Sequence, residues 1–412
     1  MPISNKNKHP QREHARYLLI IQTCAGFSQW VDILLIFSVP AFLWESTPAQ
    51  IAFIASCFGL PGLFLGPMIG ALLDQLDARR AACCAAVART ALTGFIAFAP
   101  GFEFFAALVL LKGVANVFYW PATAILTQQL VAPAARVQYF SSLSALDQVT
   151  KVMTPLIAGA ATLTMDAQLI FLLSCALTLV CALWLFFLPQ SATTHQERGK
   201  HLLIDAWKGL SYGWKSIRTL PSGLVVSIGL GIGVSLALAI YDPHLAAFLN
   251  SIQLDATAFA LLVSSTGFGA VCGALLVRFF GKSAHPSQLM RTGLALFFTA
   301  TASAAILSGF YAQAIGIVPL MFLWFINGLG YEIFMIGCNV NMQNLCPPHL
   351  LGRVSTSARS LQMAAVVAGP LIGAWLISVQ SRAMPFGVSA VIALALLWTV
   401  MVAPPKHGMP TD

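Results

Sequence analysis

The chain has 412 residues, of which 58% are hydrophobic and 9% charged, with a formal net charge of +8. A soluble protein carries about 25% charged residues, and 22 basic with 14 acidic side chains cannot cover a water-soluble fold of this size. Composition therefore excludes a soluble multidomain protein, and segments that are apolar throughout, without strand-like alternation, exclude a transmembrane barrel.

Residues 1–16 are polar and basic, and the apolar stretch after them is too long for the core of a signal peptide. Apolar stretches then fall at 17–43, 51–73, 82–99, 104–130, 139–163, 169–188, 220–248, 256–280, 289–309, 314–343, 355–379 and 384–403. Each is near the roughly 20 residues that span a bilayer, which predicts an all-α membrane protein with twelve transmembrane helices. An even count puts both termini on one side. Of the 22 Lys and Arg, 18 fall in the tails and even-numbered loops and one, Arg382, in an odd-numbered loop. The positive-inside rule then predicts a multi-pass protein of the cytoplasmic (inner) membrane with both termini in the cytoplasm.

The expected organisation is a tail 1–16, a six-helix bundle 17–188, a linker 189–219, a second bundle 220–403 and a tail 404–412. Within the linker Leu203, Trp207, Leu210, Trp214 and Ile217 recur at helical spacing with basic residues elsewhere. That pattern predicts an amphipathic helix on the cytoplasmic leaflet. No basic run with interleaved aromatics appears, so a nucleic-acid partner is not expected. The nine cysteines lie almost all in apolar segments without CxxC spacing, which reads as packing and gives no metal or redox site. No cofactor is expected.

The two halves repeat one another. Gly70-Ala71-Leu72-Leu73 ends helix two and Gly273-Ala274-Leu275-Leu276 lies at the matching place in helix eight, while Pro155-Leu156-Ile157 in helix five matches Pro370-Leu371-Ile372 in helix eleven. Six-plus-six repeats with a site between them are a transporter architecture.

The loop after helix two reads Gly70-Ala-Leu-Leu-Asp74-Gln-Leu-Asp77-Ala-Arg79-Arg80. It resembles the signature loop of the major facilitator superfamily: a glycine, three residues, an aspartate, then a basic cluster. The resemblance implies two pseudo-symmetric six-helix bundles, a monomer working by alternating access, and a cytoplasmic latch built from Gly70, Asp74, Asp77, Arg79, Arg80 and Arg353. Gln75 and Ala78 stand where the family has basic residues. Within the superfamily the chain resembles the macrolide-efflux and enterobactin-exporter branch, through Asp32 and Pro40 in helix one, Tyr119-Trp120-Pro121-Ala122 in helix four and Leu351-Gly-Arg-Val354 at helix eleven. The antiporter signature of helix five is degraded, with Lys151 in place of a small or apolar residue.

Ionisable residues inside a membrane face the bundle interior or a water-filled cavity. Asp32 and Lys112 lie at similar depths, about 16 and 12 Å from the external face, which suits pairing. Desolvation favours a neutral carboxyl and a nearby ammonium favours the ionised form. These opposing pushes suit a proton-coupling site at Asp32 tuned by Lys112. Asp147 and Lys151, four apart on helix five, are expected to satisfy each other. Together with Glu332 they form the alternative coupling set, and Asn327, Asn339 and Asn341 beside Glu332 suggest a wet inner face of helix ten. Arg89 is expected to snorkel to the cytoplasmic surface. A substrate cavity is expected from Trp30, Asn116, Tyr119, Trp120, Tyr241, Asp242, Asn327 and Tyr331, a mixture of aromatics and amides that suits a bulky organic solute.

These features predict a secondary transporter that expels a small amphipathic solute, a siderophore or drug, in exchange for protons, with the solute, protons and the lipid bilayer as its partners. The alternative is an uptake carrier of the same fold for a siderophore, metal chelate or lysophospholipid. An enzyme is not expected, since HExxH and GxxxxGK[ST] are both absent from the sequence.

Overall fold

The structure is a computed structural model and describes residues 8–73, 76–131, 136–161, 165–189, 222–280, 284–310, 316–346 and 351–402. Among these the regular structure is helical throughout. The long helices are α1 (Lys8–Ser38), α2 (Pro48–Leu73), α3 (Ala78–Ala97), α4 (Phe102–Leu130), α5 (Arg136–Ala161), α6 (Ala167–Phe186), α7 (Ser222–Tyr241), α8 (Ala256–Phe280), α9 (Pro286–Phe310), α10 (Ile317–Leu345), α11 (Leu351–Val379) and α12 (Met384–Val402). Eleven segments of the described residues are long and apolar enough to cross a membrane, and α5 contributes the shorter apolar stretch Val149–Ala158. The amphipathic helix expected in the linker lies outside the described residues.

Local chemistry explains where the helices stop. Pro40 cannot donate to the α-helical ladder, and the end of α1 widens into a π-helical turn, Val39–Leu43. Glu45 then takes a left-handed backbone with φ of 47°, and Thr47 opens α2. The Thr47 amide donates to Gln50 Oε1 at 2.8 Å and the Gln50 amide to Thr47 Oγ1 at 3.3 Å, a reciprocal cap. Asp77 caps α3 by accepting from the Arg80 amide at 2.8 Å, a bond of the kind worth about 1 kcal/mol. After α7, Asp242-Pro243 tightens the chain into a 3-10 turn before a seven-residue helix, Leu245–Ser251.

The chain divides into two compact units, Met1–Ile36 with Leu60–Trp207 and Phe37–Gly59 with Lys208–Asp412. In the first, α3 packs against α4 and α6. Its alanine-rich inner face (Ala78, Ala82, Ala85, Ala86) joins Leu18, Ile21, Tyr119, Leu126 and Leu185 in one core. In the second, α10 packs against both α8 and α9. A Cβ built on Gly328 would lie 1.9 Å from the Thr266 carbonyl oxygen, and one on Gly269 2.0 Å from that of Phe325. Only glycine allows backbones this close. The Gly369–Gly373 pair of α11 plays the same part against α7, with a Cβ on Gly373 falling 2.0 Å from the Ile240 carbonyl oxygen.

Candidate substrate and coupling sites

In the first unit the ordering of α1, α3, α4 and α6 brings four polar side chains onto one buried centre. Lys112 Nζ of α4 donates to Asp32 Oδ2 of α1 and to Thr93 Oγ1 of α3. Ser174 Oγ of α6 donates to the other Asp32 oxygen at 2.8 Å. Its hydrogen being so used, Ser28 Oγ is the donor in the 2.7 Å contact with Ser174. Thr93 passes its own hydrogen to the Arg89 carbonyl at 2.9 Å. Asp32 and Lys112 are both 0% exposed, and theirs is the one ion pair within 4 Å among the described residues. Asp32 and Lys112 are the partners that matching depth predicts, whereas Thr93, Ser28 and Ser174 were not singled out. Three hydroxyls on the buried faces of charged or neighbouring helices were the available signal.

Arg89 corrects an expectation. It is 1% exposed and does not snorkel. Its guanidinium lies 4.4 Å from the Tyr119 ring centroid and 5.5 Å from that of Trp120, and Nη2 donates to Gln29 Oε1 at 3.1 Å and to the Ala25 carbonyl at 3.5 Å. The reason is the face it occupies. Ala82, Ala86, Arg89, Thr93 and Ile96 follow helical spacing along the buried stripe of α3, so the side chain points at α1 and α4.

The expected Asp147–Lys151 pair is also corrected, because no ion pair closes between them. Lys151 Nζ sits 5.7 Å from the Trp30 ring centroid, a cation–π placement. Asp147 faces α1, where a Cβ on Gly26 would lie 3.9 Å from its Oδ1. Asn116 is buried, and neither of its amide atoms has a partner among the described residues. Beside this centre, Tyr139 donates to Gln22 Oε1 at 2.6 Å and Gln22 Nε2 donates to Thr127 Oγ1 at 3.1 Å, tying α1, α4 and α5.

In the second unit Tyr241 donates to Asn327 Oδ1 at 3.0 Å, and Asn341 Nδ2 donates to Ser227 Oγ at 2.6 Å. Both asparagines therefore join α10 to α7, and Asn339 is exposed on another face. Tyr331 lies beside Phe297 of α9, with ring centroids 6.4 Å apart, and its hydroxyl is hydrogen-bonded to Ser235 of α7. Glu332 lies on the α8 side, its Cβ 3.4 Å from where a Cβ on Gly273 would stand. Within the polar face expected around Glu332, the side chains of Asn327, Tyr331 and Asn341 thus meet α7, while Glu332 itself lies on the α8 side. Asp242 is exposed. A cavity of about 210 Å³ opens at one end of this unit, bordered by Glu45, Tyr241, His244, Asn250, Arg382 and Phe386. Of these only Tyr241 was expected at a cavity.

Of the latch residues, Asp77 serves as the cap of α3, and Arg79 Nη1 donates to the Phe186 and Leu188 carbonyls at 3.1 and 2.6 Å, closing the end of α6. Arg80 is exposed. Gly70 lies within α2 and Arg353 within α11. Asp74 and the side chain of Arg353 lie outside the described residues.

Residues 18–365 match the family model of the Major Facilitator Superfamily. The chain is 25% identical over 364 residues, covering 85% of its length and 84% of the relative's, to an uncharacterized MFS-type transporter, YfiS, of Bacillus subtilis (strain 168). Among solved structures it is similar to the nucleoside transporter NupG, with a TM-score of 0.77 and 13% identity over 94% of this chain and 99% of that one. It is also similar to a POT family transporter in complex with 5-aminolevulinic acid, with a TM-score of 0.76 and 11% identity over 95% and 96% of the two chains. A D-xylose-proton symporter gives a TM-score of 0.71 and 15% identity over 95% and 99%. The apolar helices, the polar groups buried between them and the match along most of its length agree: the chain belongs to the Major Facilitator Superfamily and is a multi-pass membrane transporter with that family's fold.

Proposed function

We propose that the chain is a proton-coupled secondary transporter that exports a small amphipathic organic solute, of siderophore or drug type, across the cytoplasmic membrane. It works as a monomer with both termini in the cytoplasm. The observation that carries the reading is the Asp32–Lys112 pair, closed off from solvent and bridged to α3 and α6. Isolated charges in such a place are expensive, so the pair holds itself neutral. A proton arriving on Asp32 removes the partner of Lys112 and leaves an uncompensated ammonium in the core. Protonation is then accompanied by a rearrangement that gives Lys112 another partner or solvent, which links proton occupancy to conformational state. The excess of basic residues in the tails and even-numbered loops supports the orientation, and the likeness of Asp32, Pro40 and Tyr119–Ala122 to the exporter branch supports the outward direction.

The test is flux in proteoliposomes under an imposed pH gradient, using catecholates, macrolides and cationic dyes loaded on either side. Export driven by the gradient, lost in Asp32→Asn with solute binding retained, is the expected result. Gradient-driven flux that survives Asp32→Asn moves the coupling role to Asp147 and Glu332, and accumulation in the opposite direction establishes an uptake carrier.

A further inference from the structure

We infer that the surroundings of Arg89 form the recognition site for a carboxylate on the transported solute. The inference rests on the reading of the chain as a carrier of organic solutes and narrows it to organic anions with an aromatic or apolar body. Arg89 is 1% exposed, and no carboxylate lies within 4 Å of it among the described residues. A buried guanidinium without a counter-charge is the arrangement that proteins avoid, because desolvation is not offset by an ion pair. Of the charges deep in the helices of the first unit, Asp32 is already spent on Lys112. Asp147 lies toward Gly26, and Lys151 adds another cation over Trp30. One positive charge is left over, at Arg89.

The polar atoms around it are also unfinished. Arg89 Nε, the Tyr119 hydroxyl and both amide atoms of Asn116 are buried without a partner among the described residues. Asn116, Tyr119 and Trp120 are spaced three and four apart on α4, so they share one face of that helix. Buried polar groups are nearly always satisfied, and orphans on the cation, on the tyrosine it covers and on the residue one turn along the same helix face are what a missing ligand leaves behind. A planar carboxylate matches the fork of a guanidinium, and the Tyr119 hydroxyl and the Asn116 amide are further donors on the α4 face. The Tyr119 and Trp120 rings, 5.2 Å apart and edge to face, supply the apolar wall for the body of the solute. Trp120 is 37% exposed, which makes it the member of the cluster that lies at the protein surface.

Gln29 makes the inference testable without dismantling the site. Its Oε1 already accepts from Arg89 Nη2 at 3.1 Å, so Gln29→Glu places a carboxylate of the same shape on the cation. Thermal unfolding of the full-length protein in detergent is followed with a thiol-reactive dye that reports exposure of its nine free cysteines. The probes are 1-naphthylacetate and its neutral isostere 1-naphthylacetamide. The native protein is expected to gain roughly 2–4 °C with the carboxylate and nothing with the amide. Gln29→Glu is expected to gain a similar amount with no probe present and to lose its response to naphthylacetate. Equal effects of the two probes on the native protein overturn the inference, as does a Gln29→Glu midpoint at or below the native one. Binding here is measured without a gradient or a direction, so failure of proton coupling in the flux assay leaves this result standing, and the reverse also holds.

Discussion

Removing one member of the Asp32–Lys112 pair should cost far more than removing both. Lys112→Met leaves the Asp32 carboxylate fully buried, with the Ser174 hydroxyl as its remaining donor among the bonds described. Asp32→Asn leaves an ammonium at zero exposure, held by the Thr93 hydroxyl and an amide. Breaking a buried pair in this way costs about 3–5 kcal/mol, whereas replacing the whole pair by neutral groups is often neutral or stabilising. Each single variant is therefore expected to lose about 3–5 kcal/mol and the double variant Asp32→Asn/Lys112→Met to recover most of it, a coupling of about 3 kcal/mol or more. Reversible unfolding in mixed micelles of increasing denaturing-detergent fraction, followed by tryptophan fluorescence, measures the cycle. Single losses below about 1 kcal/mol that simply add in the double variant would show that the two side chains are not a charged pair at rest.

Three other variants and fusions extend the test to the helix seam, the latch and the topology. Gly373→Leu drives side-chain atoms into the Ile240 carbonyl and the His244 ring, and should abolish recovery of folded protein on gel filtration where Gly101→Ala, with open space around its Cβ position, does not. Asp74→Asn should lower transport in proteoliposomes with insertion unchanged, because loss of a latch worth about 1–3 kcal/mol shifts access-state populations five- to 150-fold; parental flux would remove the latch assignment. Reporter fusions at the N-terminus and near Arg198 should both read cytoplasmic, and opposite signals would overturn the orientation.

The helix positions were legible because bilayer length and apolarity are coarse signals that survive without knowledge of packing. Predicted and observed bounds coincide at α8, where both run over 256–280, and differ by nine residues at the start of α1. The Asp32–Lys112 contact was also legible, since two charges at one depth in a membrane have few other solutions. Arg89 was misread because depth alone was considered. Its position on a stripe with Ala82, Ala86, Thr93 and Ile96 held the answer. The Asp147–Lys151 expectation failed for a different reason. Spacing of four permits a pair on an isolated helix, but Trp30 of another helix offered the ammonium a competing partner. Glu332, Tyr331 and Asn327 were read as one face, yet Glu332 lies on the α8 side while Tyr331 and Asn327 both reach α7, which only the packing of α10 between its neighbours decides. Gly369 and Gly373, on either side of the repeated Pro370-Leu371-Ile372, are an interhelical seam.

The 80-residue separation between Asp32 and Lys112 sets a condition on how the protein enters the membrane. At about 5–20 residues per second of synthesis, α1 emerges some 4–16 s before its cation. A lone carboxylate or ammonium at mid-helix costs about 2.5–3.5 kcal/mol on insertion scales. Until α4 arrives, α1 must wait with Asp32 neutral, hydrated or lodged in the insertion machinery, and α3 must do the same with Arg89 until Tyr119 and Trp120 follow. The first four helices are therefore released to lipid together, and a stop codon or stall between α1 and α4 strands a segment that the bilayer will not hold.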